Sequence, residues 1–340
     1  MKAVPAALPP PVPEAPTATA VSRAAAILRA GGLVAFPTET VYGLGAHARS
    51  PEALRRLFAA KGRPADHPVI VHLAEPAALA DWAATVPPVA ATLAEACWPG
   101  PLTVIVRRAP HVPDEVTGGL DTVGLRVPAE PVALALLREL GDGIAAPSAN
   151  RFGRVSPTTA ADVVADLGHA VDLVLDGGPC RIGVESTIVD CTGDMPSVLR
   201  LGGVTREEIE ELLGCPVPVR TGGGTVRAPG TLASHYAPNA QVLLVGLESL
   251  AAAARDAMQR GMRVGVLGEK LPADLPADIT VLAQPADDAE FARELYRDLR
   301  AADALDLDIV LVVLPGDVGL GAAVADRLRR AAGRPTASAP

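Results

Sequence analysis

The chain has 340 residues and a net charge of −9, and its aromatics are so few (3%) that any core must be aliphatic. This length allows at least one large core, and two domains are the better division. The acidic balance argues against a protein built mainly to grip a nucleic-acid backbone, no apolar run reaches a membrane span, and Cys97, Cys180, Cys191 and Cys215 have neither CxxC nor metal-ligand spacing.

Residues 1–18 are rich in Pro and Ala, lack the apolar core of a signal peptide, and read as a disordered arm of a cytoplasmic protein. Ser22–Ala30 reads as a helix stopped by Gly31-Gly32. Leu33–Gly45, LVAFPTETVYGLG, begins as a buried strand and breaks at Pro37 into Thr38, Glu39, Thr40 and Tyr42, then closes on Gly43 and Gly45. A strand feeding a polar, glycine-punctuated loop is how α/β proteins build sites. The glycines are expected to let the backbone approach a ligand, with Glu39 and Tyr42 shaping the loop. Ser50-Pro51-Glu52 opens a helix that ends at Lys61-Gly62.

Further strands are expected at Val69–Leu73, Leu102–Arg107, Gly124–Val127, Ile144–Ala146 and Val171–Leu175, with an antiparallel pair Glu185–Asp190 and Ser197–Leu201. Helices are expected at Ala77–Trp82, Pro88–Ala96, Pro131–Leu140, from a Ser156-Pro157 cap to Leu167, and at Thr205–Leu213. Some strand pairs lack an intervening helix, which predicts a mixed sheet for a domain spanning 19–214. Residues 215–238, with three consecutive glycines and repeated Pro, form a linker. Residues 239–340 alternate strand and helix as a small doubly wound domain; no G-x-G-x-x-G follows its first strand, so no dinucleotide site is expected there.

The polar residues of the larger domain follow or end strands: Thr38, Thr40, Tyr42, Lys61, Arg63, His67, His72, Thr122, Arg126, Ser148, Asn150, Ser156, Ser186, Thr187 and Arg200. There is no Ser-His-Asp order, HExxH, paired-carboxylate spacing or Walker lysine. Arg, Lys and Ser/Thr without a nucleophile–base pair suit phosphate and carboxylate groups, and the helix after Ser156 would offer a phosphate its N-terminus. Each residue alone has a blander reading. Lys61 and Arg63 could serve the end of their helix, His72 could be packing, Ser148 could cap a turn, and Arg200 could pair with Glu185.

The segments FPTETVYGLG, KGRPADHPVIVH, WPGPLT, LRVP, PSAN, GVEST and LRLG, in this order, resemble the YrdC/Sua5 family of threonylcarbamoyl-AMP synthases over roughly Ser22–Leu213. HYAP (His235–Pro238) and the small domain resemble the long, Sua5 form. The resemblance implies a twisted α/β sheet with a large concave cavity, followed by a Rossmann-like domain. It implies a nucleotidyltransferase that takes L-threonine, bicarbonate and ATP to L-threonylcarbamoyladenylate, pyrophosphate and water. This is the first step of the t6A37 modification of ANN-decoding tRNAs, and a downstream transferase complex would receive the adenylate. No stable tRNA binding, membrane association or protein-held metal is expected, and Mg²⁺ would travel with ATP. By motif, Thr38, His72, Arg126 and Ser186 would contact threonine. Lys61, Arg63, His67, Thr122, Ser148, Ser156, Arg200 and Tyr236 would hold ATP, with Lys61 and Arg63 stabilising the leaving pyrophosphate, and Asn150 would shape its loop. Pro229–Pro238 is a possible lid. Two other functions fit less well: an RNA-binding module, against the net charge, and a carbamoyl-transfer domain, whose Cys-rich companion motifs are absent.

Overall fold

The computed structural model describes residues 11–220 and 236–333. Helix α1 (Ala18–Arg29) is followed by β1 (Val34–Phe36), β2 (Gly43–His47), α2 (Pro51–Lys61), β3 (Ile70–His72), α3 (Leu79–Trp82), α4 (Pro88–Cys97) and β4 (Leu102–Arg107). Then come α5 (Asp114–Thr117), β5 (Thr122–Arg126), α6 (Pro131–Leu140), β6 (Ile144–Ala145), α7 (Ala160–Leu167), β7 (Leu173–Val174), β8 (Thr187–Asp190), β9 (Ser197–Arg200) and α8 (Arg206–Leu213). The second unit holds β10 (Gln241–Leu244), α9 (Leu247–Gln259), β11 (Val264–Leu267), β12 (Thr280–Ala283), α10 (Asp288–Ala304), β13 (Ile309–Val312) and α11 (Gly319–Ala332).

Local chemistry sets several of these boundaries. The Ser50 side chain accepts from the Ala53 amide, Pro51 occupies the first turn of α2, and Gly62 ends the helix in a left-handed conformation. That helix buries Leu54, Leu57 and Phe58. Helix α1 starts earlier than its sequence suggests, because Thr17 rather than Ser22 caps it.

The larger sheet has the order β7-β1-β2-β6-β3-β5-β4-β8-β9 and mixes parallel with antiparallel pairs, as the missing crossover helices require. One face packs against the aliphatic core that includes Leu54, Leu93, Val104 and Leu125; the other, toward β7, is covered by α1 and α6. The smaller sheet, β10-β13-β11-β12, is entirely parallel.

Three expectations change. The arm is not loose from Glu14 onward, because the Glu14 amide donates to Val174 O (2.9 Å) and its carbonyl accepts from Asp176 N (2.8 Å), extending the sheet edge. Gly43 and Gly45 do not close a loop but lie in β2, where a Cβ on Gly45 would sit 2.9 Å from both Ile144 and Phe36, so this glycine serves strand packing. The linker's first residues run beside β9, with Val198 N donating to Pro218 O and Arg220 N to Val198 O. The rest of the linker up to His235, including most of the possible lid, lies outside the described residues.

Candidate active site

Strands β3 and β5 are parallel neighbours whose register places His72 directly opposite Arg126. The chain leaving β1 brings Thr38, Thr40 and Val41 to the same place, and the turn after β6 adds Pro147 and Ser148. Glu185 and Ser186 arrive ahead of β8, Arg200 at the end of β9, and Arg63 just past α2. Together with Tyr236 these residues line a cavity of about 550 Å³, a figure that includes solvent at its mouth. A small, mostly apolar depression adjoins it at Ile70, lined also by Ile105, Ile188, Gly124, Thr103 and Thr122.

The anion-binding groups are held in place by their neighbours. Arg126 is buried; its Nε donates to Gly100 O (3.2 Å) and its Nη1 to Thr40 Oγ1 (3.0 Å). Its Nη2 lies 2.7 Å from Glu39 Oε1, yet neither that nitrogen nor either Glu39 oxygen has a well-aligned hydrogen bond. The pair is therefore held by charge, with donor and acceptor capacity left over. Thr38 Oγ1 donates to Val41 O (2.6 Å), accepts weakly from the amides of Thr40 and Val41, and shares a hydrogen bond with Thr40 Oγ1. Arg200 donates through Nε and Nη2 to Ser186 O and through Nη2 to Ser186 Oγ (3.0 Å), and Ser186 Oγ also pairs with Thr103 Oγ1.

Burial lowers the pKa of Arg63 to about 10, with the Tyr236 side chain opposing and the Arg200 charge adding to the shift. Its Nη2 donates to Pro68 O (2.7 Å), while Nε is buried without a hydrogen-bond partner. Burial and then the Arg126 charge push His72 down to about 3, against hydrogen bonds with the Ile144 and Ile70 backbone, so its imidazole is neutral at pH 7. His72 Nδ1 is likewise unpartnered. Neutral imidazole offers one donor and one acceptor rather than a charge.

Several expected ligand contacts lie elsewhere. The Lys61 ammonium is not on the cavity wall; it donates to the backbone carbonyls of Ser148 and Asn150. Burial, and the charge of Arg63, hold its pKa well below the ordinary value. Ser156 is fully buried, and its hydroxyl donates to Glu185 Oε1 (2.7 Å) rather than facing the cavity. The helix expected to start there begins at Ala160, where Thr159 and Asp162 form a capping box that occupies its first amides. His67 packs edge-on against Phe152, and Thr122 borders the apolar depression. Asn150 Nδ2 donates to the carbonyls of Arg151 and Arg154, the loop-shaping part expected of it. Tyr42 also faces away, with its hydroxyl donating to Gly178 O (2.8 Å).

Two carboxylates, one behind the cavity wall and one on it, have parts that sequence reasoning does not assign. Glu39, expected to shape its loop, is the charge partner of Arg126. Glu185 lines the cavity and accepts from Ser156 Oγ, from Tyr296 OH (2.8 and 3.0 Å) and from Arg327 Nε (2.7 Å). Burial pushes its pKa up, but the charges of Arg327 and Arg200 and the hydrogen bonds from Arg327 and Ser156 outweigh burial and hold it at about 2. The GVEST motif signals Glu185; nothing in the sequence signals a partner 142 positions away.

Residues 26–202 match the family model of the Sua5, YciO and YrdC proteins, described as telomere recombination, and residues 204–333 match one described as the threonylcarbamoyl-AMP synthase C-terminal domain. The threonylcarbamoyl-AMP synthase of Pyrococcus abyssi is 43% identical over 324 residues, covering 91% of this chain and 93% of the relative. That of Bacillus subtilis is 42% identical over 322 residues, covering 92% and 93%. The crystal structure of P. abyssi Sua5 complexed with L-threonine aligns with a TM-score of 0.88 at 40% identity, covering 96% of this chain and 98% of that one. The chain therefore belongs to the YrdC/Sua5 family, in the form that carries the Sua5 C-terminal domain.

Proposed function

We propose that this chain is a threonylcarbamoyl-AMP synthase, acting on L-threonine, bicarbonate and ATP in the first step of t6A37 formation. The observation that carries the reading is the convergence of Arg63, Arg126 and Arg200 with Thr38, Ser148, Ser186 and a neutral His72 on one cavity. Such a wall suits a carboxylate and a polyphosphate together. Arg126 and His72, in register on adjacent strands, would meet threonine with Thr38 and Ser186; Arg63 and Arg200 would meet the triphosphate.

Threonine's amine and bicarbonate would condense to a carbamate with loss of water. A carbamate oxygen would then attack the α-phosphorus, and pyrophosphate would leave. The substrates supply the nucleophile, so the protein's part is positioning and charge stabilisation. Lys61 would act at one remove, by fixing the Ser148–Asn150 turn from which Ser148 reaches the cavity. Mg²⁺ would enter with the triphosphate as part of the substrate. The carboxylate on the cavity wall, Glu185, is already engaged by Arg327, which fits a cation held by phosphates rather than by the protein. Passage of the adenylate to a downstream transferase complex and a cytoplasmic location belong to the same proposal; among the described residues no helix is long and apolar enough to cross a membrane.

The test is incubation with ATP, Mg²⁺, labelled bicarbonate and each amino acid in turn. Pyrophosphate and a labile labelled adenylate are expected with threonine above all others. No product with threonine, or product without amino-acid preference, overturns the reading.

A further inference from the structure

Arg327 lies on α11 of the small domain and is fully buried. Its Nε donates to Glu185 Oε2 (2.7 Å), its Nη2 to Leu201 O (2.8 Å) and its Nη1 to Asp326 (2.6 Å). Its guanidinium carbon also lies 5.2 Å from the ring centroid of Tyr236. Tyr296, on α10, donates to both oxygens of Glu185 and stacks on Tyr236 at 5.6 Å between centroids. Two residues of the small domain thus hold two residues of the cavity wall. Tyr236 needs holding, since its φ of 64° is a left-handed conformation that a non-glycine residue adopts only under strain.

The electrostatic consequence is specific. Glu185 is a buried carboxylate facing the same cavity as Arg200 and Arg63. Unpaired, it would repel a polyphosphate and would be an alternative partner for Arg200, which lies close enough to influence its ionisation. With Arg327 on Oε2 and Ser156 on Oε1, its charge is offset from behind, and Arg200 donates to Ser186 instead.

We propose that Arg327 and Tyr296 are positioning residues of the catalytic cavity: by engaging Glu185 they keep it from competing with an anionic ligand for Arg200 and Arg63, so the anion site is intact only with the small domain docked. This rests on the reading of the cavity as an ATP site. It assigns the small domain a part in nucleotide binding through the face of α10 and α11, not through the strand ends where doubly wound domains bind their own ligands.

The test measures equilibrium binding of Mg·ATP and of L-threonine to the full chain, with thermal melting alongside. Arg327→Met, which keeps the stem and removes the charge, is expected to weaken Mg·ATP binding at least about tenfold, equivalent to about 1.4 kcal/mol. Threonine binding, centred on Arg126, is expected to change less. Arg327→Met with Glu185→Gln removes both charges and is expected to recover most of the lost ATP affinity. A folded Arg327→Met protein that binds ATP like wild type overturns the proposal. So does a double variant no better than the single, or an equal loss of both ligands in step with a lowered melting temperature. If Arg327→Met does not fold, Tyr296→Phe decides: a loss of ATP affinity of about threefold supports the proposal and an unchanged affinity overturns it. Wild-type protein that binds no ATP would remove the ATP reading itself, whereas wild type that binds beside indifferent variants removes only this inference.

Discussion

The two sheets of this chain use the same elements and treat charge in opposite ways. The nine-stranded mixed sheet gathers buried polar groups at the ends of strands from β1 across to β9: Thr38, Glu39, His72, Arg126, Glu185, Ser186 and Arg200. In the four-stranded parallel sheet domain, buried charge among the described residues is limited to Asp298 and Arg327, and Arg327 reaches out of its own domain to Glu185. The mixed sheet builds its site from strand ends arriving from both directions. The parallel sheet, although its architecture suits a ligand crevice, contributes through helix faces. Architecture alone therefore does not locate the site; the distribution of desolvated charge does.

The largest expected effect that tests this contrast is at Arg126. On the proposed threonine position, Arg126→Ala should weaken threonine binding by about 2–5 kcal/mol, because it would remove a charge-assisted contact and leave Glu39 buried without its counter-ion. Calorimetric titration should detect a smaller change for ATP; a larger loss for ATP than for threonine would mean that the two substrate positions are exchanged.

Acid stability separates the two domains next, because the signs differ. His72 is neutral in the native state down to about pH 3 but titrates near 6.5 when unfolded. The unfolded chain therefore takes up a proton that the native protein refuses, and stability falls as pH drops from 6.5 toward 3, by up to about 1.4 kcal/mol per unit. Glu185 adds a loss from its unfolded value of 4.5 down through about 2, since its ionised form is the paired one. In the small domain Asp298 runs the other way. Burial raises it to about 6, so the native state holds the proton more tightly and stability rises as pH falls from 6 to 3.8. Denaturant unfolding across pH should give a shallower slope between 6.5 and 4.5 in His72→Gln and a steeper acid loss in Asp298→Asn. Unchanged slopes in both would refute the assignment of charge to the two domains.

A smaller effect is expected at Gly183. Its φ is +82°, and an added Cβ would meet the backbone of Ala292 and Arg293 on α10 at 2.3–2.5 Å. Gly183→Ala should loosen the domain contact and cost about 1–3 kcal/mol, read as a lower melting temperature with faster proteolysis of the small domain. A melting temperature equal to wild type would show that the domains are not held closely here.

The alternation of elements was written in the sequence. Ser50-Pro51 and Gly62 bracket α2, strand β4 follows its Pro-Gly-Pro start, and the missing crossovers announced a mixed sheet. The sequence also picks out residues that the fold brings together, since Thr38, Arg63, His72, Arg126, Ser148, Ser186, Arg200 and Tyr236 line one cavity. Hydrogen-bond partners are not legible there, because they depend on groups far apart in the chain. Lys61 meets carbonyls 87 and 89 residues away, and Ser156 gives its hydroxyl to Glu185 instead of a ligand. By sequence β2 looks like loop, because two glycines resemble turn signals until Phe36 and Ile144 are packed over one of them.

Local pattern thus determined which segments fold and which carry chemistry, since periodicity, caps and turn residues act within a few positions. Tertiary structure decided which charges face the cavity and which are already satisfied, because desolvation and pairing exist only once distant segments meet. Glu185 is the clearest case: a lone acid in a motif by sequence, and in the fold the point where the small domain takes hold of the cavity wall.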